Sequence, residues 1–205
     1  LGSCAKDDDD AASTDNTTST ATFTSTTTAS GSITVGSVAM SGTYVSDCNT
    51  TGVAAAVSGG YFPSDIVANR DVLVVTGNDN VSQETHFYTD TTCSTLSGYS
   101  KNGWDNFTVG DASGEFYKVT YKETGFKVKA GTTVAETYYE NYFSTNNITA
   151  SGTTIDLVVG TEYDVGGSGS SYMNLFYVNS TIARHGEGST SSYPTAMDSL
   201  EMAKQ

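Results

Sequence analysis

Proline, histidine, tryptophan and positive charge are all scarce in this sequence: two, two, one and nine residues (Lys plus Arg) among 205. Each scarcity excludes something. Against 23 acidic residues the few cations leave a formal net charge of −14. Such a chain is a poor partner for a nucleic-acid backbone, which needs cationic groups to displace counterions. It is equally poor at adsorbing to anionic lipid. The same charge favours solubility and fits a salty environment, where self-repulsion is screened. The two histidines, His86 and His185, lie far apart, and the three cysteines include no Cys-x-x-Cys, so neither zinc-ligand spacing nor a dithiol redox motif is present. There is no EF-hand spacing and no Gly-x-Ser-x-Gly nucleophile elbow. Gly166-Gly167-Ser168-Gly169-Ser170 lacks the lysine and the following helix of a phosphate loop. No cofactor, no metal and no enzymatic activity are expected. No apolar run approaches the ~18 residues of a spanning helix, so a membrane link has to be covalent or through a partner.

What is present is Thr, Ser, Gly and Tyr, a composition of strands and turns. Residues 1–31 carry no periodicity of 2 or 3.6 and almost nothing to bury, so they are read as a flexible acidic Ser/Thr-rich tether. Residues 32–205 are read as a single β domain. Strands are expected near 43–48, 72–76, 84–89, 106–109, 116–122, 126–130, 134–143, 154–159 and 172–182. Turn signals fall at Gly77-Asn78-Asp79-Asn80, Lys101-Asn102-Gly103, Glu123-Thr124-Gly125, Asn146-Asn147 and 166–169. The 122–126 turn reads as a short hairpin with Gly125 supplying a positive φ. Alternation is clean where Tyr117, Val119 and Tyr121 oppose Lys118, Thr120 and Lys122, where Phe126 and Val128 oppose Lys127 and Lys129, and where Ile155, Leu157 and Val159 oppose Thr154 and Asp156. Nothing between the strands is long and periodic enough for a crossover helix. The fold class is therefore all-β, an antiparallel meander closed into a barrel, with a β-sandwich as the alternative. Eight or so strands enclose either packed side chains or a small pocket. The apolar, Gly-interrupted stretch 53–63 is a buried connection, a lid-like loop or a short helix.

Leu1-Gly2-Ser3-Cys4 resembles the lipobox of bacterial lipoproteins, and Cys4-Ala5-Lys6-Asp7-Asp8-Asp9-Asp10 resembles the surface-export signal of Bacteroidota lipoproteins. The resemblance implies acylation of Cys4, anchoring by acyl-chain burial and an outer-membrane location facing the cell exterior. A periplasm-facing location is the alternative, and a plain solvated acidic linker remains an alternative for the Asp run. With Cys4 taken by lipid, Cys48 and Cys93 remain, and an exported protein would pair them. Both follow expected strands, so both can sit at one rim of a sheet. A second resemblance lies in Gly42-Thr43-Tyr44-Val45-Ser46-Asp47-Cys48, Phe87-Tyr88-Thr89-Asp90-Thr91-Thr92-Cys93 and Tyr193-Pro194-Thr195-Ala196-Met197-Asp198. These are similar to lipocalin-like barrels of bacterial lipoproteins, with Tyr44 and Met197 departing from a Trp and a Leu. That resemblance implies a fold and a disulfide but no reaction. Six Asn-x-Ser/Thr sequons, starting at Asn16, Asn49, Asn80, Asn106, Asn147 and Asn179, leave glycosylation open.

The thirteen tyrosines are the informative surplus. On the expected strand 134–143, Tyr138 and Tyr142 share one face and Tyr139 and Phe143 the other. These four are the candidate ligand-binding residues, lining a concave surface for a small apolar ligand, a glycan or an envelope protein. Ordinary β core packing is the plain alternative. The leading function is thus a lipid-anchored binding module. A structural or adhesive envelope component without a pocket is second, and a hydrolase using a carboxylate pair is third.

Overall fold

The computed structural model describes residues 23–150, 152–197 and 200–205; Cys4 and the acidic run lie outside them. Among these residues β1 (Ile33–Val35) and β2 (Val38–Met40) form a short hairpin. Then come β3 (Thr43–Ser46), the short helix α1 (Val53–Ser58), and four longer strands: β4 (Ala68–Val75), β5 (Val81–Tyr88), β6 (Leu96–Ser113) and β7 (Phe116–Ala130). Helix α2 (Thr133–Thr145) leads to a small hairpin of β8 (Thr149–Ala150) and β9 (Thr153–Thr154), and then to β10 (Glu162–Asp164), β11 (Ser171–Val178), β12 (Ile182–His185) and β13 (Met202–Lys204). Strands β3-β4-β5-β6-β7-β11-β12-β13 pair antiparallel in that order, and β13 returns to β3. The result is an eight-stranded closed antiparallel barrel with β10 as an extra strand on β7. The ring is closed, so the sandwich alternative is set aside.

Alternation assigns the inner face. Tyr44, Leu73, Val75, Val81, Trp104, Val119, Tyr121, Phe176, Ala183 and Met202 come from all eight strands and form one buried cluster. Trp104 stacks on Tyr121 at 4.3 Å, and Tyr121 stacks on Tyr172 at 5.7 Å. The β1–β2 hairpin plugs this end with Ile33, Val35 and Met40. Its turn presses Gly36 against the Tyr117 ring, where a Cβ would overlap the phenol. Fully burying an aliphatic or aromatic side chain of this kind contributes about 1.5–3 kcal/mol, so this half of the barrel carries much of the stability.

Several sequence expectations are corrected. Residues 134–143 are not a strand but most of helix α2. Thr132 caps it, its hydroxyl accepting from the Ala135 N–H at 3.1 Å. Ala135, Tyr139 and Phe143 form its buried stripe. The helix ends with Asn147 at φ 54° and the Ile148 N–H bonded to the Phe143 carbonyl at 2.8 Å, so an Asn fills the left-handed position of the stop. The 122–126 hairpin does not form either. Gly125 has the positive φ, 65°, but as the extra residue of a β-bulge: Asn102 faces Phe126 and Gly103 faces Thr124. The bulge is where β7 changes partner, from β11 at Lys122 to β10 at Lys127. It also explains why Lys101-Asn102-Gly103 is not a turn. The expected strand 172–182 is cut at Asn179, whose side-chain carbonyl accepts from the Thr181 and Ile182 N–H groups. Past Thr154, Ile155 and Leu157 are buried without a ladder.

Cys48 and Cys93 are bonded, with Cα atoms 5.7 Å apart. The bridge ties the chain after β3 to the β5–β6 turn. That turn is organised by Asp90, which accepts from the N–H groups of Thr92, Ser94 and Thr95. Replacing both cysteines with Ser should lower stability by roughly 4 kcal/mol in the chain-entropy model for a loop of this length. Denaturant unfolding should show it, and a reductant should shift the native protein equally. A shift below about 1 kcal/mol would mean that the bridge constrains little.

Residues 23–30, part of the stretch read as tether, lie on the outer wall of the barrel. Phe23 packs on Val45, Val72 and Val74 and meets His86 edge-on at 5.0 Å. Beneath lies a buried polar cluster. The fully buried Glu84 carboxylate accepts from Thr27 and Ser82 and pairs with His86 Nε2 at 2.7 Å. Lys101 bonds Thr26 and pairs with Glu162 at 2.9 Å, and the Tyr99 hydroxyl donates to Glu162 at 2.8 Å. Burial pushes the Glu84 carboxyl up. Hydrogen bonds from His86 and Thr27 and the charges of His86 and Lys101 outweigh it and hold the group below the ordinary glutamate value. Glu162 is likewise held low against burial, by Lys101 and Tyr99. Folded values below the unfolded ~4.3 mean that this stability is present above that pH and is lost as pH falls through the lower folded values. Glu84→Gln should therefore cost about 1–3 kcal/mol at neutral pH and flatten the acid branch of the stability profile. An unchanged acid branch would contradict the assignment.

Candidate functional site

The inner face does not stay apolar along the barrel. In β4 the inward residues run Val75, Leu73, Asp71, Asn69, and in β5 they run Val81, Gln83, Thr85, Phe87; β6 adds Trp104, Asn102 and Ser100. Half-way along, packed hydrocarbon thus gives way to polar groups. These groups form a directed chain. Asn102 donates to the Gln83 side-chain carbonyl at 3.4 Å, Gln83 donates to the Thr85 hydroxyl at 3.5 Å, and Thr85 donates to Asp71 Oδ1 at 2.9 Å. A core filled with side chains would not place Asp, Thr and Gln here, because buried polar groups cost free energy unless they are paired.

Beyond this polar layer lies a cavity of about 460 Å³. Its barrel wall is Asn69, Asp71, Thr85, Phe87, Ser100 and Phe126. Its far side is made by the chain after α1, Tyr61 and Phe62 above all, and by Tyr138, Tyr139 and Tyr142 of α2. Both covering elements are fastened to each other and to the barrel. The Tyr138 hydroxyl donates to the Tyr61 carbonyl at 2.6 Å. The Thr132 hydroxyl donates to Asp65 at 2.7 Å, and Asp65 also accepts from Ser97 of β6 at 3.0 Å. Phe62 packs on Phe87 with ring centroids 4.9 Å apart. Tyr61 is 75 % exposed and Tyr142 45 % exposed, so the cavity meets solvent at these two rings.

Of the four aromatics singled out from sequence, Tyr138, Tyr139 and Tyr142 line the cavity. Phe143 does not; it is packed with Val128, Ile155 and Leu157. Cys48 and Cys93 sit away from the cavity, with Cys93 beside His86 and Tyr99 on the outer wall. Sequence reasoning missed Asp71, Asn69, Thr85 and Ser100. The signal was there, in the period-2 phase that runs from Leu73 back through Asp71 to Asn69. His86 is buried beneath Phe23.

Tyr139 is 6 % exposed and its hydroxyl has no hydrogen-bond partner. Burial raises its hydroxyl well above the ordinary phenol value, as burial and then Tyr142 do for Tyr138. The rings therefore act as neutral phenols at physiological pH. Among the described residues lining the cavity Asp71 is the one charged side chain, and no group of three or more His, Cys, Asp or Glu among the described residues is placed to hold a metal ion. No described helix is long and apolar enough to cross a membrane. Tyr139→Phe should stabilise the ligand-free protein by about 1 kcal/mol, since it removes a buried unmet hydroxyl at constant shape. Equilibrium unfolding checks this, and a loss of stability would show that the hydroxyl is satisfied.

A scan against protein-family models finds no match to this chain, and a search of the curated proteins finds none.

Proposed function

We propose that this protein is a binding module for a small ligand, held at a bacterial envelope by lipid on Cys4 and displayed on the cell exterior. The observation that carries the binding reading is the change of the inner face from hydrocarbon to a hydrogen-bonded polar floor beneath an aromatic-walled cavity of about 460 Å³. That volume falls within the range of small-molecule sites. A structural knob needs no such hollow, and each inward polar residue costs it stability. A hydrolytic site of the two-carboxylate type needs a second acid facing the first, whereas the lining here supplies Asp71. Leu1-Gly2-Ser3-Cys4, the acidic run after it and the Cys48–Cys93 bridge support the envelope setting.

The neutral fluorophore N-phenyl-1-naphthylamine is the probe for the cavity. Titration should give saturable fluorescence enhancement, and Ser100→Phe, which fills the hollow from the barrel wall, should weaken binding at least tenfold with an unchanged circular dichroism spectrum. Enhancement that is absent, or unaffected by Ser100→Phe, would favour the pocketless structural component. The anchor is tested separately. Cys4→Ser should move the protein from the membrane to the soluble exported fraction or leave an unprocessed precursor, and unchanged partitioning would refute the lipid anchor.

A further inference from the structure

We propose that the outer wall of the barrel carries a second site, for a small organic oxyanion: a carboxylate or phosphate head on a compact apolar body. It is separate from the cavity inside the barrel and goes beyond the reading above. Strand pairing sets Arg70 of β4 opposite His86 of β5, His86 opposite Tyr99 of β6, and Tyr99 opposite Lys129 of β7, all on the outward phase. One row of side chains thus crosses four strands, a span of about 14 Å from three inter-strand steps. The strap over the outer wall adds Phe23, Thr24 and Thr26, and strap and row together border a pocket of about 260 Å³.

The charge of this pocket runs against the composition. The chain has nine Lys and Arg against 23 acids, yet among the described residues lining the pocket the charged ones are Arg70 and Lys129, with His86 between them and no carboxylate. The acids nearby are committed elsewhere. Glu162 stands directly opposite Lys129 on β10, but its carboxylate turns to Lys101 at 2.9 Å, Tyr99 at 2.8 Å and Lys127 at 3.9 Å. Glu84 is fully buried against His86 and Thr27, and Asp90 accepts from the N–H groups of its own turn. Lys129 is thereby left with no side-chain hydrogen bond or ion pair among the described residues. Arg70 is held by one bond, Nη1 donating to the Ser46 carbonyl at 2.8 Å. Its remaining N–H groups keep the planar fork that matches a carboxylate or a phosphate. Both cations are half-buried, so they attract an anion more strongly than they would in open water. Phe23, Leu96 and Tyr88 supply apolar surface beside them, which gives an organic body, rather than a bare ion, something to pack on.

Phenylacetate, phenyl phosphate and 2-phenylethanol share a ring and differ in the head group. Isothermal titration of the 205-residue chain at neutral pH and low salt, where screening is weak, should give at least one of the two anions tenfold tighter binding than the alcohol. The anion that leads identifies the head group. Lys129→Gln should erase that advantage. Thr24→Glu, which sets an acid on the exposed strap side of the pocket, should erase it too and serves where Lys129→Gln does not fold. Lys122→Gln, which removes the same charge outside the pocket, and Ser100→Phe, which fills the inner cavity, should both leave the advantage intact. If neither anion exceeds the alcohol, the outer site is wrong, and the inner cavity is judged separately by N-phenyl-1-naphthylamine. An anion preference that persists in both Lys129→Gln and Thr24→Glu also overturns the proposal. So does a preference lost in Ser100→Phe, which would put the anion inside the barrel.

Discussion

Closure of the sheet is the constraint on which everything else depends. It is completed by the short strand β13, three residues that pair with β12 on one side and β3 on the other. Once the ring is shut, every residue of the eight strands is either inside or outside. Edge N–H and C=O groups that would recruit other chains disappear. A side chain's role then follows from its phase. Leu73 is inside, so Asp71 and Asn69 are inside too; Val72 is outside, and so are Arg70 and Val74. The interior cannot collapse around the polar set without burying unpaired groups. It is therefore divided into a packed lower half, sealed by the β1–β2 hairpin, and a hollow upper half beneath α1 and α2.

The outer wall follows the same logic in reverse. Val45, Val72 and Val74 face outward and would be wet without a cover. Residues 23–30 supply the cover through Phe23, and Thr26 and Thr27 satisfy Lys101 and Glu84. Glu84, His86 and Lys101 are three buried polar groups on the exterior of a barrel, an arrangement that is stable only while every partner is in place. The strap therefore joins whatever precedes residue 23 to the rigid wall rather than to a loop.

Much of the fold was legible because β physics leaves a strong mark on sequence. The alternation of Tyr117, Val119 and Tyr121, the Gly77–Asn80 turn and the paired cysteines all read correctly. What failed was local ambiguity settled by tertiary context. Thr133-Val134-Ala135 and the tyrosines after it have strand propensity, yet a Thr cap and a stripe at Ala135, Tyr139 and Phe143 make them a helix. The face pairing survived that error because residues four apart lie on one side in both a strand and a helix. Gly125 showed its positive φ in sequence but not its purpose, since a left-handed glycine serves a hairpin turn and a bulge alike. Asp71 was legible by phase, two residues before Leu73, but not as a site residue: in isolation it is one more acid in an acidic chain, and only the closed ring shows that its side of the strand faces a cavity.

On the proposed reading, the upper half of the barrel is hollow in order to hold a ligand. Native mass spectrometry of the protein extracted from its own envelope tests this most directly. The expected result is a non-covalent adduct of small-molecule mass, stripped by gentle collisional activation and absent from Ser100→Phe prepared in the same way. A bare polypeptide mass from both proteins, or an adduct retained equally by Ser100→Phe, would contradict it.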